Sequence, residues 1–321
     1  MNQAFLGIDI SKKTFDVALL VKNDTKTKKF NNNKQGFSKL LTWINNKKIA
    51  LSQACMESTG TYGEALAGFL YNNEIPVSVV NPARIKGFSQ SELTRNKNDI
   101  LDAKLIGRFC KLMTPSLWEP TPEKIRVLQQ WVRRLDDLIA MHIMEENRLK
   151  VVDDYLKPHL RGQTRYLKNQ IKKVKDIINK HINKHDDLKS KSDLLQSIPG
   201  IGGATISQIL AFIGDTSKFK NAKEVAAFVG LNPRQRQSGT SVNGRTRLSK
   251  TGNSALRKAF YMPAVVAMKC NPILKEFKNR LEKAGKPKMV IIGAIMRKLV
   301  HISYGILKSG TAFDENILKL A

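Results

Sequence analysis

The stretch Ala4-Phe5-Leu6-Gly7-Ile8-Asp9-Ile10 constrains the fold more than any other. It is apolar on both faces that a strand presents, and such a strand belongs in the middle of a sheet covered on two sides. It also carries one carboxylate, Asp9. A lone buried charge is expensive unless something pairs with it, and a bound cation is one such partner. The chain should therefore hold further acids that meet Asp9, and act on a substrate that needs a metal.

Downstream of this strand the predicted elements alternate in type. A second strand over Thr14–Val21 comes after a turn at Ser11-Lys12-Lys13. Residues 28–31 add a short edge strand, on which lysines discourage aggregation. Phe37, Leu40, Leu41 and Ile44 have helical spacing over 36–46, and an apolar strand over 49–56 ends on Glu57. Thr61-Tyr62-Gly63-Glu64 reads as a capping box opening a helix to Tyr71. Residues 76–80 form a fifth strand stopped by Asn81-Pro82, a loop runs to Asn98, and a helix spans 99–111 with Ala103, Leu105, Ile106 and Phe109 inward. Three strands, helix, strand, helix, strand, helix is the order of an α/β ribonuclease-H-like domain, a mixed sheet with helices on both faces.

Pro120 and Pro122 interrupt the chain, and 123–157 then reads as one long helix ended by Pro158. Its seam is Ile125, Leu128, Val132, Leu135, Ile139, His142, Glu146 and Leu149; a second seam runs through Leu167, Ile171, Val174, Ile178, His181, His185 and Leu188. Alternating steps of three and four predict a coiled-coil arm, folded on itself or shared between subunits, with a helical hairpin packed on the sheet as the alternative. The remainder reads as mostly α, with helices beginning after Gly202-Gly203 and over 222–229, 255–268, 271–284 and 289–307. The expected domains are 1–155 (the α/β domain), 156–190 (the arm, its seam starting within the helix 123–157) and 191–321 (a mostly α C-terminal domain).

A formal net charge of +28 implies a polyanionic partner, usually nucleic acid and less often an anionic membrane surface. No apolar run approaches the roughly 18 residues of a membrane span, and the N-terminus lacks the layout of a signal peptide. Cys55, Cys110 and Cys270 show no CxxC spacing and read as buried thiols of a reducing cytosol, with no zinc site. There is no GxGxxG and no P-loop lysine, so no nucleotide cofactor is expected.

Two constellations carry chemistry. The first is acidic: Asp9, Glu57, Asp99 and Asp102. Neighbouring first and fourth strands bring Asp9 to Glu57, and Asp99 and Asp102 share a helix face. Four carboxylates together repel by roughly 4 kcal/mol per pair at ~4 Å and an effective dielectric of 20. A hard cation removes that penalty, and two ions can activate a nucleophile and stabilise a leaving oxygen at a phosphodiester. Asp16 is expected on the opposite sheet face. The second is basic: between Glu224 and Glu276 there is no acid, yet nine Lys or Arg occur, among them Arg234, Arg236, Arg245, Arg247, Lys250, Arg257 and Lys258. Such a stretch suits phosphate contacts. Within it, Ser238-Gly239-Thr240-Ser241 offers hydroxyls as a phosphate ligand or a nucleophile. The turn at Gly200 and Gly202 precedes a helix and suits backbone gripping of a phosphate.

Gly7-Ile8-Asp9, Glu57-Ser58-Thr59-Gly60-Thr61-Tyr62, Asn81-Pro82, Asn96-Lys97-Asn98-Asp99 with Asp102-Ala103, Ser197-Ile198-Pro199-Gly200-Ile201-Gly202, Phe228-Val229-Gly230-Leu231-Asn232-Pro233, Ser238-Gly239 and Ser249-Lys250-Thr251-Gly252-Asn253 together resemble the insertion sequence 110 family of transposases. The resemblance runs in order over essentially the whole chain, and extends to that family's pilin-gene inversion recombinases. It implies a RuvC-like N-terminal domain whose Asp-Glu-Asp-Asp tetrad is Asp9, Glu57, Asp99 and Asp102. It implies a C-terminal transposase domain whose nucleophile is Ser238, with Ser241 as the fallback. It also implies Mg2+ (two ions, Mn2+ as a substitute) and a non-coding bridge RNA that pairs with target and donor DNA. The implied assembly is a homo-oligomer, a dimer or a dimer of dimers, in the cytoplasm of a bacterial or archaeal cell at the nucleoid. In the implied reaction the metals of one protomer activate Ser238 of another, and a phosphoserine link to DNA forms before resealing. The competing readings are a metal-dependent Holliday-junction-type nuclease that uses water, and a non-catalytic nucleic-acid-binding protein.

Overall fold

A computed structural model describes residues 3–22, 24–58, 60–92, 98–238 and 242–315. They form two compact units, Met1–Thr121 and Pro122–Ala321.

The first unit is a five-stranded sheet in the order β3-β2-β1-β4-β5, built from β1 (Ala4–Ile10), β2 (Thr14–Val21), β3 (Asp24–Asn31), β4 (Leu51–Glu57) and β5 (Val77–Val80). β1 is central, antiparallel to β2 and parallel to β4. Alternation divides its side chains. Ala4, Leu6, Ile8 and Ile10 join Phe37, Leu40 and Ile44 of α1 (Lys34–Asn45) and Leu66 and Leu70 of α2 (Glu64–Asn72) in one core. Phe5 lies on the other face, with Ile106 and Phe109 of α4 (Asp99–Met113) and Ile85 and Phe88 of α3 (Pro82–Ser91). A β-carbon on Gly7 would lie 2.1 Å from the carbonyl oxygen of Ala103 and 2.2 Å from the nitrogen of Gly107. Only a glycine lets α4 approach β1 so closely.

Local chemistry explains where this unit departs from the sequence expectations. The edge strand β3 is eight residues long, not four. The helix α2 has Gly63 as its N-cap, with no side-chain cap hydrogen bond, so Thr61 does not form the expected box. The segment expected as a loop before Asn98 holds α3. The Asn81 side chain accepts a hydrogen bond from the Ala83 N–H, and Pro82 stands in the first turn. Asn-Pro is thus a helix start as well as a strand stop.

The second unit contains α5 (Glu123–Leu149), α6 (Lys157–Lys184), α7 (Asp186–Gln196), α8 (Gly203–Ile213), α9 (Ala222–Val229), α10 (Ser254–Ala259), α11 (Tyr261–Cys270), α12 (Pro272–Lys283) and α13 (Lys288–Ser309). The expected helix 123–157 ends at Leu149, and Pro158 sits in the first turn of α6, where its missing N–H costs nothing. α5 and α6 fold on one another through Leu128, Val132, Leu135 and Leu138 against Leu167, Val174, Ile178 and Ile182. His181 Nε2 lies 2.8 Å from the Lys124 carbonyl, tying the start of α5 to the end of α6. α5 also packs on α8, where Gln129 donates to the Ala211 carbonyl at 2.8 Å. It therefore sits with the C-terminal helices, whereas the expected α/β domain ran to residue 155.

Two further expectations change, while the C-terminal part is mostly α as expected, with one antiparallel hairpin of β6 (Pro233–Ser238) and β7 (Val242–Leu248). α13 is long and apolar enough to cross a membrane, although the sequence shows no obvious run; 67% of its apolar window is buried within the fold, as in a core helix. Cys55 and Cys110 are buried as expected, but Cys270 is exposed.

Candidate active site

Strand register brings the acids together. Phe5, Gly7 and Asp9 share the face of β1 that α4 covers. Ala103 lies over Gly7. Asp99 and Asp102, in the first turn of α4, therefore lie toward Asp9, one pleat further along the strand. The Asn98 side chain caps that turn, accepting from the Leu101 N–H at 2.8 Å. Ile8 pairs with Met56, so Glu57 closes the neighbouring strand beside Asp9. Burial first, and then the charges of Asp102, Asp99, Glu57 and Asp16, push the Asp9 carboxyl up to about 6. Four acids within electrostatic reach of a half-buried fifth is the central feature of this unit.

Asp16 is expected from the sequence to face away, and it does not. It lies directly across from Asp9 in the β1–β2 register, and directly opposed residues share a sheet face. Asp16 is 6% exposed. Its partner on β3 is Lys29, whose ammonium stands 3.2 Å from Asp16 and 3.6 Å from Asp99. The hydrogen bond to Asp16 is the main cause that raises the Lys29 pKa. The signal was present in the sequence as a Ser-Lys-Lys turn of fixed length, but register decides it and periodicity alone does not.

Among the described residues, no group of three or more His, Cys, Asp or Glu side chains stands ready to hold a metal ion. The donor set is nevertheless all carboxylate, which suits a hard divalent cation. Like charges keep one another at a distance, and a cation between them removes that repulsion. His181 and His185 are engaged with backbone carbonyls of the α5–α6 hairpin and its end.

The basic stretch between Glu224 and Glu276 runs from α9 through the β6–β7 hairpin, α10 and α11 into α12. Arg234 and Arg247 face one another in the ladder, and both are exposed. Ser238 is the last residue of β6, its backbone paired with Val242. Ser241 lies outside the described residues, as do the side chains of Ser238, Arg236 and Arg245. Lys250 and Lys258 are exposed. Arg257 is engaged locally, donating to the Val229 carbonyl at 3.0 Å. Gly200 has a packing reason of its own: at φ +99°, a β-carbon there would lie 2.8 Å from that of Ala267. Gly202 precedes α8 with open space around it.

Two family matches cover separate parts of the chain. Residues 6–156 match a DEDD transposase family, and residues 192–279 match the "Transposase IS116/IS110/IS902 family". Over 320 residues the chain is 35% identical to the pilin gene-inverting protein of Moraxella bovis, covering 99% of each chain. The chain belongs to the IS110 family of transposases. The protein of the same description in Moraxella lacunata is also 35% identical over 99% of both chains. A transposase for insertion sequence element IS1111A of Coxiella burnetii is 24% identical over 65% of this chain and 62% of its own. The transposase is thus an enzyme of DNA strand transfer, and the DEDD match points to dependence on a divalent metal. The DEDD match reaches residue 156, beyond the packing boundary at Thr121. Sequence kinship includes α5 in the first region, while packing places it in the second.

Proposed function

We propose that the transposase cuts and rejoins target and donor DNA through a covalent serine intermediate, using Asp9, Glu57, Asp99 and Asp102 to hold divalent metal. The crowding of these acids around Asp9 is the observation that carries this reading. Bound there, Mg2+ or Mn2+ would supply Lewis acidity and neutralise charge on the phosphodiester. Ser238 supplies the nucleophile. Its hydroxyl oxygen attacks phosphorus and loses its proton, and one bridging oxygen leaves as a free DNA hydroxyl. The phosphoserine link keeps the phosphodiester energy, so attack by another DNA hydroxyl releases Ser238 and reseals the strand with no outside energy source.

The exposed Arg234 and Arg247, with Lys250 and Lys258, hold backbone phosphates and do not read bases. Sequence choice is delegated to a bridge RNA paired with both DNAs. The +28 charge supports a chain that binds two polyanions at once. Exposed Ile143, Met144, Val151 and Tyr155, at the end of the α5–α6 hairpin, support a homo-oligomer.

Ser238→Ala tests the reaction. The protein–DNA adduct on a denaturing gel should vanish while DNA binding persists. Strand cleavage that survives the substitution would instead favour a nuclease that uses water. RNA sequenced from the purified native complex tests the guide, and the lack of one specific species would remove that part of the reading.

A further inference from the structure

Asp9, Asp16 and Lys29 form a row across three adjacent strands, and the last two are not part of the acid tetrad. Asp16 is buried, so it needs a permanent partner; Lys29 provides one at 3.2 Å. The same ammonium reaches Asp99 at 3.6 Å. An ammonium has three donors, so these two carboxylates leave at least one N–H for another acceptor. That acceptor has room: a cleft of ≈ 500 Å³ opens here, lined by Asp16, Lys28, Lys29, Asn98 and Asp99. A long, flexible side chain at a surface edge normally loses too much rotamer entropy to be held in one place. Here a buried acid anchors it beside the tetrad.

We propose that Lys29, anchored by Asp16, is a phosphate-binding residue that receives the DNA backbone next to the scissile bond. This rests on the reading of the acids as the cleavage site. Asp16 is then a positioning residue, acting through Lys29 and not on the substrate. Lys29 would stay on Asp16 and turn a free N–H to a non-bridging phosphate oxygen. The row also explains why two aspartates stand face to face across β1 and β2, an arrangement that costs stability by itself.

The test measures binding of the full-length protein to a short DNA duplex in Ca2+ over a series of salt concentrations. Lys29→Ala should weaken binding by about tenfold and lower the salt slope by about one, the signature of one lost phosphate contact. Lys29→Arg should recover most of both. Asp16→Asn should move both in the same direction by less. Lys26→Ala serves as the charge control, since Lys26 pairs with Leu19 on the opposite sheet face. A merely structural Lys29 would change the melting temperature and leave the slope alone, and an unchanged slope overturns the assignment. Strand cleavage persisting in Asp9→Asn is a different failure: it overturns the reading of the acids and leaves the salt-slope result to stand by itself.

Discussion

The acidic end of the first unit and the basic hairpin of the second are held in opposite ways. Asp9, Asp16 and Glu57 stand on three hydrogen-bonded strands, and α4 is pressed onto them through Gly7 and Gly107. Every element is fixed by at least two neighbours. The β6–β7 ribbon has only two strands, which by itself is marginal in water. It is secured at its base, where Leu248 approaches Gly293 of α13 and Ser249 donates to the Asn232 carbonyl at 2.8 Å. The contrast suits the two tasks proposed for these regions. Gathering like charges requires a rigid frame that opposes their repulsion, whereas gripping phosphates requires only exposed cations that adapt to a partner's shape.

The largest effect should come from the rigid side. Asp9→Asn should abolish strand cleavage, a loss of at least about a thousandfold for a group at the reacting centre, and DNA binding should survive. Residual cleavage near the wild-type rate would break the comparison.

Gly7→Val separates frame from chemistry. It changes no ionisable group, yet its side chain meets the backbone of α4. We expect a loss of about 3 kcal/mol or more by overpacking, read by denaturant unfolding, together with lost activity. An unaltered unfolding midpoint would mean that α4 is not held as tightly as its contact with Gly7 indicates.

A pH series sharpens the electrostatic claim. The Asp9 carboxyl lies at about 6, above its ordinary value of 3.8. The folded protein therefore binds this proton more tightly than the unfolded chain. The stability it contributes is complete below 3.8 and is lost as pH rises through about 6. Without metal, Asp9→Asn should melt a few degrees above wild type at neutral pH, and the gap should close toward pH 4. Divalent metal should raise the wild-type melting temperature at neutral pH and leave the variant nearly unmoved.

The smallest effect belongs to the hairpin. Arg234→Ala or Arg247→Ala should each weaken binding to any DNA sequence and reduce the salt slope by about one, without changing thermal stability. A large drop in melting temperature would show that these arginines hold the fold as well as the ligand.

Much of this was legible in the sequence because it is local. An apolar strand with one acid, the acids in the first turn of a capped helix, and the run of cations between Glu224 and Glu276 are written in adjacent residues. The expected pairing of β1 with β4 is present. What failed depended on competition between local signals. Asn81-Pro82 satisfied both a strand end and a helix start. Pro158 fitted the start of α6 as well as the end of α5. The hairpin was hidden because its strands are polar and rich in Arg, so no apolar alternation marked them.

The sequence by itself determined the central strand, the donor types, the charge that selects a polyanion, and the family. Only the tertiary structure decided which acids share a face. The period of a strand is two, so one residue of register exchanges the faces of a whole strand, and register is set by the turn and the packed helix together. That is why Asp16 and Lys29 came to light only when β1, β2 and β3 were laid side by side.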